Sequence, residues 1–229
     1  MSKKIDIVVL GGGFAGLYTL KKLKSYFKND SRVRLTLINE ENHFLFTPLL
    51  HEVATGGISI DNAIEPLRRI ARKCFDRFYQ TYAEQIDLDK QVIKIPDKEI
   101  SYDYLVLATG STTNFYGVPG AKDFCYILKD INDATKLKKH YLETFEKASS
   151  INDLEKVEDL LRFVIVGGGP TGVELAAEMS ELFNKTFRKY YSNDLVDKAS
   201  VYLVQRSETL VPQFSDFFKN KTYQIIILV

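Results

Sequence analysis

Apolar residues cluster in short blocks along the chain, and two of the blocks break on a run of glycines. Ile5–Leu10 is apolar at every position except Asp6, the pattern of a strand buried on both faces of a parallel sheet. The block ends at Gly11, Gly12 and Gly13, and beyond Phe14, Ala15 and Gly16 the spacing turns helical through Leu17, Leu20 and Leu23. Residues 33–38 alternate as a second strand and end in Asn39, Glu40 and Glu41. Residues 42–56 are too apolar for an ordinary surface connection and must cover something. Residues 61–73 have helical spacing, with Asn62 and Glu65 placed as a capping box and Pro66 early in the helix. Residues 78–95 predict a hairpin turning near Asp89 and Lys90, and residues 104–108 a buried strand closed by Thr109 and Gly110.

Past Val118, Pro119 and Gly120, which have the turn chemistry of an inter-domain joint, Ala134, Leu137, Tyr141, Phe145 and Ala148 share one helical face. Residues 149–159 are a polar connection. The opening pattern then returns: residues 163–166 are apolar, Gly167, Gly168 and Gly169 follow, and Pro170, Thr171 and Gly172 lead into a helix. Two matching strand–turn–helix units in one chain imply two dinucleotide-binding domains, residues 1–119 and 120–229. The expected fold class is α/β, with two Rossmann-like three-layer domains, both incomplete at the C-terminus. In such a unit the first glycine makes a tight turn, the next lets backbone approach a pyrophosphate, and the last lets helix and strand pack closely, with phosphate at the helix N-terminus.

Composition narrows the class without changing it. The 229 residues are 45% hydrophobic, enough for a real core. Thirty-one Lys and Arg against 30 Asp and Glu leave a net charge of +1, so no global field draws the chain to nucleic acid or acidic lipid. Cys74 and Cys125 form no CxxC pair and no metal-ligand set, which points to a reducing compartment, no metal and no disulfide framework. The apolar run after Met1 is too short for a signal peptide, and no segment approaches the roughly 20 apolar residues that cross a bilayer.

Residues 7–16 (IVVLGGGFAG), 45–56 (LFTPLLHEVATG), 102–110 (YDYLVLATG) and 164–178 (VIVGGGPTGVELAAE) together resemble type II NADH:quinone oxidoreductases, flavoproteins with one FAD and one NAD(P)H domain. The resemblance implies FAD on the first unit, NADH or NADPH on the second, hydride passing from nicotinamide C4 to flavin N5, and a quinone as electron acceptor. It assigns Gly11, Gly13, Ala15 and Gly16 to the FAD pyrophosphate, Asn39 or Glu40 to its adenosine ribose, Thr109 and Gly110 to nearby backbone contacts, and Pro48 to the flavin lining. Gly167, Gly169 and Gly172 would take the NAD(P)H pyrophosphate, and Glu174 corresponds to the family's acidic residue near the nicotinamide, the candidate catalytic group. Thr171 and Glu174 also read as a capping box at a helix start.

At the tip of the second strand of the second unit, where NADH-specific relatives have a glutamate, this chain has Gln205 followed by Arg206. The pair favours NADPH at least as well as NADH, because an amide removes the carboxylate's repulsion of the 2′-phosphate and a guanidinium pairs with it. The family docks peripherally on the cytoplasmic face of the inner membrane through a C-terminal segment that this sequence lacks. A cytoplasmic location and a homodimer are therefore the expectations. Family members also continue into a further flavin-binding motif, whereas this sequence ends in the apolar residues 224–229, the mark of a truncated or frame-shifted product. Sulfide:quinone and ferredoxin- or rubredoxin-type reductases are the rival enzymes, and a non-catalytic nucleotide-binding remnant the rival class.

Overall fold

The structure is a computed structural model and describes residues 4–227. The first part of the chain forms β1 (Ile5–Leu10), α1 (Phe14–Tyr26), β2 (Val33–Asn39), β3 (His43–Leu45), a 3-10 turn at Thr47–Leu49, α2 (Leu50–Thr55) and α3 (Ile60–Ala63). There follow β4 (Ile64–Pro66), α4 (Leu67–Ile70), β5 (Arg77–Gln80), β6 (Gln85–Asp87), β7 (Val92–Ile95), β8 (Lys98–Ser101) and β9 (Tyr104–Leu107). The rest holds α5 (Ala121–Phe124), α6 (Ile131–Ser149), α7 (Leu154–Leu160), β10 (Arg162–Val166) and α8 (Pro170–Glu181). After a π-helical turn at Leu182–Thr186 and a 3-10 turn at Phe187–Lys189 come α9 (Asn193–Val196), β11 (Ser200–Val204) and α10 (Asp216–Ile227). The chain divides into two compact units: residues up to Phe46 with Ile64–Asn114, and Thr47–Ala63 with Phe115 onward.

The first unit is built on a parallel sheet of order β5-β2-β1-β9. The unbroken apolar run of β1 supplies two cores by simple alternation. Ile7 and Val9 join Leu17 and Leu20 of α1 with Leu35 and Leu37 of β2 on one face, while Val8 and Leu10 join Ile38, Ile93, Ile95 and Tyr102 on the other. The second face is covered by the antiparallel sheet β6-β7-β8, so the three layers are helix, parallel sheet and meander. Asp6, the one polar residue of β1, is held by a two-pronged pair with Arg34 across the β1–β2 register.

The second unit carries the parallel pair β10-β11, with α8 packed on it and α2 packed on both α6 and α8. Helix α6 opens on a capping box between Asp130 and Asp133 and buries Ala134, Tyr141, Phe145 and Ala148, with Leu137 half-buried. Phe145 is the hub of a ring cluster, 4.7 Å from Phe187 and 5.0 Å from Phe183, with Phe163 stacked nearby.

Several local expectations differ from the structure, each for a reason of pairing. Residues 61–73 do not form one helix; Ile64–Pro66 is drawn into an antiparallel pair with His43–Leu45, and Pro66, at φ −56 and ψ 125, starts the separate helix α4. The Asn62–Glu65 capping box does not form, and Glu65 pairs with Arg69 instead. Phe78 lies in β5, which joins the parallel sheet, so the hairpin begins only at Gln85; its turn is tightened by Lys90 N–H donating to the Asp87 carboxylate at 2.8 Å. β9 is an edge strand, with Leu107 60% exposed, not a buried one. The polar connection contains α7, capped by Asp153. The units part at Asn114 and Phe115, upstream of the Val118–Gly120 turn, and the segment 47–63 belongs with the second unit. Of the apolar tail 224–229, α10 reaches Ile227; Leu228 and Val229, like the first three residues, lie outside the described residues.

Candidate functional site: two glycine turns

The two turns are built alike, bond for bond. Gly11 N–H donates to the Ile38 carbonyl at 2.8 Å, and Gly167 N–H donates to the Val204 carbonyl at 2.8 Å. Both glycines have left-handed backbone, φ +106 and +118, which a side chain strongly disfavours. A methyl group on Gly16 would sit 1.8 Å from the Gly11 carbonyl oxygen, and one on Gly172 would sit 1.9 Å from that of Gly167, so only glycine lets each helix close on its turn. At Gly13 and Gly169 a methyl would meet nothing within 4 Å. These positions face open space, the cradle that a bound group would fill.

Gly13 and Gly169 are also the N-caps of α1 and α8, and neither helix has a side-chain cap or an acidic residue in its first turn. Helices α6, α7 and α9 are capped by Asp130, Asp153 and Ser192. The first N–H groups of α1 and α8 therefore remain available to an anion, reinforced by the helix dipole. The capping box expected between Thr171 and Glu174 is absent because the helix begins two residues earlier, at Pro170 with Gly169 as its N-cap.

The strand tips close each turn from the side. Asn39 Oδ1 accepts from Gly12 N–H at 2.6 Å and its amide donates to the Glu41 carbonyl at 2.8 Å. Gln205 Oε1 accepts from Gly168 N–H at 2.9 Å and its amide donates to Ser207 Oγ at 2.8 Å. The amide oxygen at each tip is thus spent on the glycine loop. Glu40 and Arg206 stand beside them, exposed, and Arg206 lies beyond the end of β11.

The first turn brings together Gly11, Gly13, Gly16, Asn39 and the end of β9, where the Ala108 carbonyl approaches Gly11 and Thr109 and Gly110 are exposed. Ala15 is exposed in the first turn of α1. The second turn gathers Gly167, Gly169, Gly172 and Gln205, and is closed further by Val211 N–H donating to the Gly168 carbonyl at 2.7 Å. Pro48 is exposed in the 3-10 turn before α2, in the second unit. Glu174, half-exposed on α8, has the imidazole of His51 beside it, with Nδ1 and Oε2 3.6 Å apart. One helical turn further, Thr55 Oγ1, whose nearer acceptor is the His51 carbonyl at 3.0 Å, lies 3.5 Å from Glu178 Oε2.

Sequence reasoning passed over His51, Ala108, Ser207 and Val211. His51 had a readable signal, a polar ring in an otherwise apolar stretch; the others act through backbone or through long-range closure. Cys74 and Cys125 are free thiols, and no group of three or more His, Cys, Asp or Glu able to hold a metal occurs among the described residues.

Paired glycine turns on parallel strands are the architecture of a two-dinucleotide fold, and residues 5–225 match the family described as pyridine nucleotide-disulphide oxidoreductase, to which the chain belongs. It is 35% identical over 224 residues to the External NADH-ubiquinone oxidoreductase 2, mitochondrial, of Saccharomyces cerevisiae, covering 93% of this chain and 40% of that protein. It is 38% identical over 205 residues to the External alternative NAD(P)H-ubiquinone oxidoreductase B2, mitochondrial, of Arabidopsis thaliana, covering 83% and 34% respectively. The solved structure of NDH2 from Plasmodium falciparum in complex with NADH superposes with a TM-score of 0.87 at 30% identity, covering 97% of this chain and 46% of that one. The chain thus spans less than half the length of these relatives.

Proposed function

We propose that this chain carries the two cofactor-binding turns of an FAD-dependent NAD(P)H:quinone oxidoreductase, with FAD on the α1 turn and NAD(P)H on the α8 turn. The observation that carries the reading is the pair of uncapped helix N-termini, each behind a glycine that faces open space. When bound, the two groups supply hydride chemistry, NAD(P)H as donor and FAD as acceptor. The chain's own share is to bind and orient them. Gly13, Ala15 and the first amides of α1 hold one pyrophosphate, and Gly169 and the first amides of α8 hold the other. The adenosine ribose of the first site is taken by Asn39, which also accepts from Gly12 N–H, or by the neighbouring Glu40. Glu174, on the same helix as the second turn, is the acidic residue facing the nicotinamide.

A quinone acceptor and a mitochondrial location accord with the names of the relatives. No helix among the described residues is long and apolar enough to cross a membrane. The sulfide:quinone and ferredoxin-type alternatives are less favoured, because the curated relatives are named for NADH or NAD(P)H and ubiquinone.

The assignment is tested by FAD and NADH titrations of the purified chain carrying Gly13→Val or Gly169→Val. Each substitution meets open space, so circular dichroism should be unchanged while one ligand is lost: FAD with the first, NADH with the second. Equal loss of both ligands from either variant, with the fold retained, would overturn the division of the two sites.

A further inference from the structure

Helix α2 is short, yet it is held firmly. Leu50, Val53, Ala54 and Thr55 are buried, and Tyr141 of α6 donates its hydroxyl to the Ala54 carbonyl. On α8, Glu174 and Glu178 are four residues apart and occupy one face; on α2, His51 and Thr55 have the same spacing and meet them one to one. The His51 side chain is only 13% exposed while that of Glu174 is 49% exposed, so the fixed partner is the imidazole and the movable one is the carboxylate.

Glu174 stands one helical turn from the uncapped N-terminus of α8. A carboxylate there is favoured by the helix dipole but opposes any anion brought to the same end. A polar ring beside the carboxylate, its Nδ1 3.6 Å from Oε2, holds it sideways and lessens that opposition. We propose that His51 is a positioning residue for the dinucleotide site: it holds the Glu174 carboxylate against α2 and so lets a pyrophosphate settle on the N-terminus of α8. The proposal rests on reading α8 as the NAD(P)H helix.

The test is a double-mutant cycle read by NADH binding to the 229-residue chain, with folding followed by circular dichroism. His51→Leu keeps the buried apolar volume and removes the ring nitrogens; it should weaken NADH binding about five-fold, the size expected for a partly exposed polar pair. His51→Gln, which keeps an N–H donor, should stay within about two-fold of the parent. Added to Glu174→Gln, His51→Leu should have no further effect on NADH binding, because no carboxylate remains to be restrained. Unchanged binding in His51→Leu would overturn the proposal, and so would an equal loss when His51→Leu is added to Glu174→Gln, since that pattern belongs to packing alone. Should His51→Leu fail to fold, His51→Gln binding far below the parent would equally reject it. A parent chain that binds no NADH at all would instead refute the function on which the inference rests.

Discussion

The two glycine turns are nearly superimposable in their bonding, yet the sheets beneath them are not alike. β1 lies between β2 and β9 and is buried over its last four residues, whereas β10 pairs, among the described residues, only with β11 and alternates, Val166 being 76% exposed. The bare face is a register feature: Val164 lies opposite Tyr202 and Val166 opposite Val204, and all four are exposed. The turn geometry persists across this difference, with φ of +106 and +118 and methyl clearances of 1.8 and 1.9 Å at Gly16 and Gly172. It is therefore set by the strand–turn–helix unit itself and by one tip amide from the adjacent strand. Wider burial contributes little to it. The surroundings do differ at one point: the Ala108 carbonyl closes on Gly11, where a methyl would lie 2.2 Å from it, while Gly167 has nothing within 4 Å.

That contrast can be broken most sharply at the first glycine. Gly11→Ala must overcome both left-handed strain and the Ala108 backbone, so it should cost about 3 kcal/mol or more in denaturant unfolding. Gly167→Ala meets only the strain and should cost about 1–2 kcal/mol. Equal costs would mean that the β9 end does not rigidify the first turn.

A smaller effect is expected at the strand tips. Gln205→Glu keeps an oxygen for Gly168 N–H; under the proposed function it also places a charge at the site of the NADPH 2′-phosphate. Two unit charges at about 4 Å and an effective dielectric near 20 repel by about 4 kcal/mol, so even partial exposure should shift preference toward NADH by about ten-fold or more. Titrations with both cofactors measure it, and an unchanged ratio would remove Gln205 from cofactor choice.

The smallest effect separates the units by pH. Burial, with a hydrogen bond to Glu146 added, pushes the Tyr191 hydroxyl of the second unit up to about 12 from an ordinary 10.0. The folded chain holds this proton more tightly than the unfolded chain, so the stabilisation is complete below pH 10.0 and is lost as pH rises toward about 12. Burial also raises Tyr141, in the same unit. Tyr191→Phe should flatten part of the alkaline fall in the melting temperature and cost under about 1 kcal/mol at neutral pH through the lost Glu146 bond. A fall of unchanged steepness would exclude Tyr191 as a source.

What the amino-acid sequence determined by itself is the local machinery. The Ile5–Leu10 run, the six glycines of the two turns and the apolar face of α6 were legible because backbone φ, the absence of a Cβ and helical spacing act within a few residues. Tertiary structure alone decided what those pieces meet. Ile64–Pro66 became a strand because His43–Leu45 offered unpaired backbone groups, against a helical spacing that would have continued in isolation. Asn39 and Gln205 turned toward the loops, and His51 toward Glu174, across separations of 27, 37 and 123 residues, the last by difference of their numbers. Such contacts depend on where the chain returns in space, and no spacing along a single sequence encodes that return.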